Sequence, residues 1–158
     1  MAKKTNAMRL LDKAAVKYDV IEYEVDENNL DAVHVAQKVG LPAAQVFKTL
    51  VVRGDKTGII MAVIPGDAGL DLKALAKASG NKSAAMIHLK EVLPLTGYIR
   101  GGVSPLGAKK AYPVYIDDKA RNWENISVSA GLRGYQMLLP PDDLCRVIGQ
   151  AEFCPISI

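Results

Sequence analysis

Histidine, cysteine and large aromatic side chains are scarce in this chain of 158 residues: two histidines (His34, His88), two cysteines (Cys145, Cys154), one tryptophan and two phenylalanines. Two cysteines cannot form a disulfide framework, and their spacing matches no zinc site. They read as small hydrophobes of a reducing compartment, so the expected location is the cytoplasm. The histidines are far apart and belong to no HExxH pattern. There is no P-loop and no dinucleotide fingerprint. Gly102-Val103-Ser104-Pro105-Leu106 misses the GxSxG nucleophile elbow, because leucine stands where the last glycine belongs. With no ready Ser-His-Asp or Cys-His set, the expectation is a chain without metal or cofactor. No apolar run approaches the roughly 20 residues that span a bilayer. The lysines near the start lead into an amphipathic segment, Met8 to Tyr18, so neither a signal peptide nor a membrane partner is expected.

What is present suits an aliphatic core. The chain is 49% hydrophobic and 23% charged, and its length is that of one ordinary domain, residues 1–158. Thr5 or Asn6 caps a helix with Ala7, Leu10, Leu11, Ala14, Ala15 and Tyr18 on its apolar face. Val20 to Val25 alternates as a strand. Asp31 caps a second helix that Gly40 closes. Val46 to Val52 and Ile59 to Ile64 read as a hairpin across a turn-like run, Arg53 to Gly58. Asp71 caps a third helix, Leu72 to Ser79. Short elements follow at Ala84 to Ile87 and Lys90 to Leu93. Tyr112 to Ile116 is a strand, and Ile126 to Ser129 pairs with Tyr135 to Leu139 in a second hairpin. Pro141 opens a last helix to Ile148, and Ala151 to Ile156 is a final strand. Hairpins mixed with helical crossovers predict an α/β (α+β) domain: a mixed, barrel-like sheet flanked by helices.

Charge is unevenly distributed. The net charge of +3 is too mild for a DNA-binding tail. Yet Met1 to Tyr18 holds five basic residues against Asp12, Lys73 to Lys90 holds four with no acid, and Gly97 to Pro113 holds Arg100, Lys109 and Lys110 with no acid. Such stretches either converge into a phosphate-binding surface or form solvated helix faces.

Two segments carry the chemistry. Phe47-Lys48-Thr49-Leu50-Val51-Val52 reads as a strand, rich in β-branched residues and apolar on both faces. Lys48 interrupts this pattern. A lysine there either snorkels to water along its stem or aims a positive charge into a cleft. The second segment, Gly97 to Gly107, is rich in glycine and stiffened by Pro105, so its backbone N–H groups can approach a ligand closely.

Val46-Phe47-Lys48-Thr49-Leu50, then Thr96-Gly97-Tyr98 with Gly101 to Gly107, then Val128-Ser129-Ala130-Gly131-Leu132-Arg133-Gly134 follow one another in an order and spacing that resembles the YbaK/EbsC family. These are free-standing aminoacyl-tRNA deacylases acting on Cys-tRNA(Pro) and Cys-tRNA(Cys), related to the editing domain inserted in bacterial prolyl-tRNA synthetases. The resemblance covers nearly the whole chain. It implies the YbaK/aminoacyl-tRNA synthetase-associated fold, aminoacyl-tRNA as substrate and prolyl-tRNA synthetase as a transient partner. It places the family's essential lysine at Lys48 and its ligand-approaching backbone at Gly101 and Gly102. It also implies substrate contacts from Tyr23, Leu30, Thr49, Ser104, Pro105, Ser129, Gly131, Arg133 and Gln136. The chain departs from some relatives, which carry an aromatic where it has Leu30 or Asp31 and an aspartate where it has Gln136. A sister specificity for Ala-, Ser- or Thr-charged tRNA therefore stays open, as does a non-catalytic module that docks on tRNA or a synthetase. Lys48 could hold a phosphate or ribose, stabilise developing charge, or act as a base.

Overall fold

The computed structural model describes residues 4–158; Lys3 of the first basic stretch lies outside them. Thr5 accepts a hydrogen bond from the Met8 N–H and caps α1 (Asn6–Lys13). The helix ends before Ala14 and Ala15, two residues of the expected apolar face. Asp31 caps α2 (Ala32–Val39) and Asp71 caps α3 (Leu72–Ser79), each closed by a left-handed glycine, Gly40 and Gly80. A short helix, α4 (Val92–Thr96), and α5 (Pro141–Ile148) complete the α-helices among the described residues, beside three short 3-10 turns.

The strands form two sheets. In the larger, β2 (Phe47–Gly54) and β3 (Gly58–Pro65) make the predicted antiparallel hairpin. The hairpin end is held by Asn81, whose Oδ1 accepts from the Lys56 and Thr57 N–H groups. β4 (Ala84–Met86) adds antiparallel to the far end of β2. β5 (Val114–Asp117) and β8 (Ala151–Cys154) add in parallel beyond β3, giving the order β4-β2-β3-β5-β8. The smaller sheet is antiparallel, in the order β1 (Asp19–Glu22), β7 (Tyr135–Leu139), β6 (Ile126–Ser129). β5 starts later than expected; Pro113 cannot donate to a ladder, although its carbonyl accepts from Met61.

The mixed α/β expectation holds, but the sheet does not close. A single parallel bridge, Val46 to Ser127, links the two sheets among the described residues. The main core lies between them, with Phe47, Val51, Met61 and Val63 meeting Ile126, Val128, Met137 and Leu139, and with Leu11 and Leu144 closing its ends. On the outer face, Leu75 of α3 packs on Val52, Ile60 and Ile64, while Val35 and Ala36 of α2 pack on Val46. β2 is therefore covered on both sides, as its sequence requires.

Alternation along β2 sorts its main-chain groups between two edges. The Val46 carbonyl accepts from Gly66 on the β3 side, and the Val51 carbonyl accepts from Ile87 on the β4 side. Odd-numbered residues thus direct their main-chain groups away from β3. That edge is bridged at Val46 and paired from Val51 onward, and among the described residues no strand covers it between.

The buried Asp117 anchors the end of the chain. Its Oδ1 accepts from the Ile156 and Ser157 N–H groups at 2.9 Å each, and Oδ2 accepts from Lys119 N–H at 3.1 Å. Bonds to a charged acceptor contribute about 1.5–3 kcal/mol each, and losing the acceptor leaves buried donors unpaired. Asp117→Ala is expected to destabilise the fold by about 3 kcal/mol or more, read as a lower urea midpoint at unchanged m value.

Candidate active site

A cavity of about 360 Å³ opens where β2 lacks a neighbour. Six residues predicted from sequence line it: Leu30, Lys48, Thr49, Gly101, Ser129 and Gln136. They come from the loop before α2, from β2, from the glycine loop and from the small sheet.

Lys48 lies on the β2 face that α2 covers at Val46. Its ammonium donates to the Gly66 carbonyl at 3.2 Å. Gly66 is needed there, since a Cβ would sit 2.6 Å from the Val46 carbonyl oxygen and 2.8 Å from Ala32 Cβ. An ammonium has three donors, so two stay available. No ion pair among the described residues involves Lys48. Arg100 adds a second positive charge to the wall. The wall's one carboxylate, Asp31, accepts from the His34 N–H at 2.9 Å and contacts His34 Nδ1 at 2.8 Å. The backbone donor first, and the imidazole second, hold this carboxyl below its usual range.

The glycine loop is held by Tyr98. Its hydroxyl donates to the Leu106 carbonyl at 2.7 Å, and its ring lies where a Cβ on Gly131 would come within 2.8 Å. Burial pushes the Tyr98 phenol up to about 12. Gly101 has φ +86°, with Leu30 Cδ2 at 3.3 Å and Arg133 Nε at 3.4 Å from the position of a Cβ. The Arg133 Nε–H donates to the Arg100 carbonyl at 2.8 Å, which clamps this turn to the one after β6.

The structure places the other expected site residues away from the cavity or behind its wall. Gly102 is not a free donor, because its N–H donates to the Ile99 carbonyl at 2.9 Å and closes the turn. The Gly101 N–H has no hydrogen-bond partner among the described residues, and Gly101 lines the cavity. Ser104 is fully buried, its Oγ accepting from Leu106 N–H, and does not line the cavity. Pro105 lines a separate depression of about 250 Å³ beside α1 and α5. Tyr23 packs behind the wall on the α2–Val46 cluster. Gly131 and Arg133 brace the site from behind: the Gly131 N–H donates to Ser129 Oγ, which leaves the serine's own proton available. Gln136, 5% exposed, has its Oε1 bonded by the Ser127 hydroxyl at 2.8 Å. Sequence reasoning missed Met86, Leu89 and Val92, which wall the far side. Arg100 carried a signal, as part of an acid-free stretch.

A family model described as "Aminoacyl-tRNA editing domain" matches residues 26–147, which takes in every wall residue. The chain is 50% identical over 154 residues to the Enterococcus faecalis protein named "Putative Cys-tRNA(Pro)/Cys-tRNA(Cys) deacylase EbsC", covering 98% of this chain and 93% of that one. It is 34% identical over 104 residues to proline–tRNA ligase of Thermosipho africanus, covering 66% of this chain and 18% of the ligase. A crystal structure titled as a "putative trans-editing enzyme for prolyl tRNA synthetase" superposes with a TM-score of 0.81 at 24% identity, covering 99% of each chain. At that identity the likeness shows the fold.

The Tyr98 clamp has a pH signature. An unfolded-state tyrosine titrates near about 10. Up to that pH the phenol is protonated in both states and its contribution is intact. Between about 10 and 12 the unfolded state loses its proton first, so stability falls as pH rises. The urea midpoint of the wild type is expected to drop more steeply above pH 10 than that of Tyr98→Phe. Parallel profiles would show that Tyr98 is not the buried phenol responsible.

Proposed function

Because the chain belongs to the aminoacyl-tRNA editing domain family, we propose that it is a trans-editing deacylase that hydrolyses cysteine mischarged onto proline tRNA. The observation that carries this reading is the Lys48 ammonium, in no ion pair among the described residues, in the wall of a small cavity that Gly101, whose N–H has no partner there, also lines. Such a cavity suits the aminoacylated 3′ end of a tRNA: one positive group for a phosphate or ribose, and one donor for the ester oxygen.

Ester hydrolysis passes through a tetrahedral oxyanion. One preorganised N–H donor to that oxygen is worth about 3 kcal/mol, and Gly101 is the proposed donor. Among the described residues, the cavity wall holds no histidine or cysteine. Among the described residues, its two hydroxyls, Thr49 and Ser129, are hydrogen-bonded to no histidine, lysine or carboxylate that could activate them. A cysteinyl substrate carries its own nucleophile, a thiol that ionises near about 8.5. Its thiolate attacks the ester carbonyl carbon, the bond to the ribose oxygen breaks, and that oxygen takes up a proton. Water then opens the cyclic thioester to free cysteine. Holding thiol and carbonyl together supplies several kcal/mol, about 7 at the low end for well-oriented intramolecular reactions. Lys48 positions the terminal nucleotide and offsets its charge.

Selection of one tRNA is assigned to the partner. The basic groups around the site grip phosphates, which carry little sequence information. Prolyl-tRNA synthetase is the proposed transient partner, delivering the mischarged tRNA. Binding of tRNA by the isolated chain is expected to be weak and to weaken steeply between low and moderate salt. Tight binding that salt leaves unchanged would contradict this division of labour.

Single-turnover deacylation of Cys-, Ala- and Ser-tRNA(Pro) tests the reading directly. Cysteine alone is expected to be released quickly, with Lys48→Ala at least 100-fold slower, about 2.7 kcal/mol at the barrier. Release of alanine or serine would move the chain to a sister specificity, for which Leu30 and Gln136 provide the altered wall. No release from any of the three would leave a binding module.

A further inference from the structure

The floor of the cavity is an unpaired strand edge. Along β2, the edge opposite β3 is bridged to β6 at Val46 and bonded to Ile87 at Val51. Thr49 lies between these points and opposite Val63 of β3. The parity of the strand directs its N–H and C=O to the open side, into the cavity that it lines. The Thr49 hydroxyl is also buried, with no partner among the described residues. Enclosed polar groups of this kind are usually satisfied, by protein or by ligand.

The gap has a definite capacity. From Phe47 to Val51 it spans about 14 Å of strand. β6 stands at one end and β4 at the other, so a through-going peptide strand would collide with both. What fits is a single rung, one donor and one acceptor at amino-acid spacing. The wall's carboxylate is engaged by His34, so an α-ammonium finds its acceptor in the main chain rather than in a side chain.

We propose that the Thr49 main chain reads the aminoacyl group as one strand rung, its C=O accepting from the substrate α-amine and its N–H donating to the ester carbonyl oxygen. This inference rests on the deacylase reading and assigns that site a second donor in place of Gly102. A carbonyl oxygen has two lone pairs, one for Gly101 and one for Thr49. The rung reads the part common to all amino acids, which leaves discrimination between side chains to Leu30, Ser129 and Gln136.

The test uses the full chain in two measurements. In the first, the Thr49 amide signal is followed by 15N–1H NMR while adenosine carrying cysteine in a stable 3′-amide linkage is added. A shift of the Thr49 signal, and slower amide exchange, are expected. In the second, tRNA(Pro) acylated with 3-mercaptopropionic acid, which keeps the thiol and lacks the α-amine, is compared with Cys-tRNA(Pro); it is expected to be cleaved at least tenfold more slowly. Thr49→Pro removes the N–H without breaking a ladder bond and is expected to lose at least tenfold in rate. If that variant does not fold, the amide measurement on the wild type decides. Equal cleavage of both esters with an unmoved Thr49 signal would overturn the rung while leaving the deacylase standing. A shifted signal with neither ester cleaved would overturn the deacylase reading and keep the rung.

Discussion

One edge of β2 is hydrogen-bonded to β3 along its whole length, while the other is bonded only at its two ends. The site depends on that asymmetry. The complete edge makes β2 rigid, and burial on both faces prevents it from shifting register, since a one-residue slip would carry Phe47 and Val51 out of the core. The incomplete edge creates a cavity without unfolding anything. Two sheets that met along their whole border would close a barrel and fill this space with main chain; here they touch at Val46 and Ser127 and then diverge.

Around this gap, other segments are held by contacts that leave little freedom. Tyr98 ties the glycine loop to the Gly131 turn, and Arg133 ties the Gly131 turn back to Arg100. Gly101 sits inside this clamp in a left-handed conformation, with side chains on two sides of its missing Cβ. The main chain can therefore reach the cavity, and the hydrogen bond within the turn decides which amide is left for a ligand. In the proposed reaction, a donor held this way stabilises developing charge without having to reorganise.

The electrostatics point the same way. Lys48 and Arg100 face the cavity, and the single wall carboxylate is tied to a histidine. A wall like this attracts anionic and electron-rich groups. It suits a reaction in which the substrate or solvent supplies the nucleophile and the protein supplies position and charge. It also accounts for how few chemically distinctive residues the chain needs.

Much of this was legible in the sequence because its causes are local. Asp31, Asp71 and Thr5 cap helices through bonds three residues away, and Gly40 and Gly80 end helices because they tolerate a left-handed backbone. Apolar runs joined by turn-like segments specify the two hairpins, and an intruding lysine on an apolar strand stands in the cavity wall. The tertiary structure alone decided which groups are available. Gly101 and Gly102 are indistinguishable as letters, yet one N–H is taken by Ile99 and the other is not. Ser104 and Ser129 are both loop-adjacent serines, but only Ser129 reaches the cavity. Met86, Leu89 and Val92 become its far wall because β4 pairs with the end of β2. Helix caps and strand periodicity act over a few residues of chain, whereas a cavity is bounded by segments distant in sequence, so its contents are decided only when those segments pack.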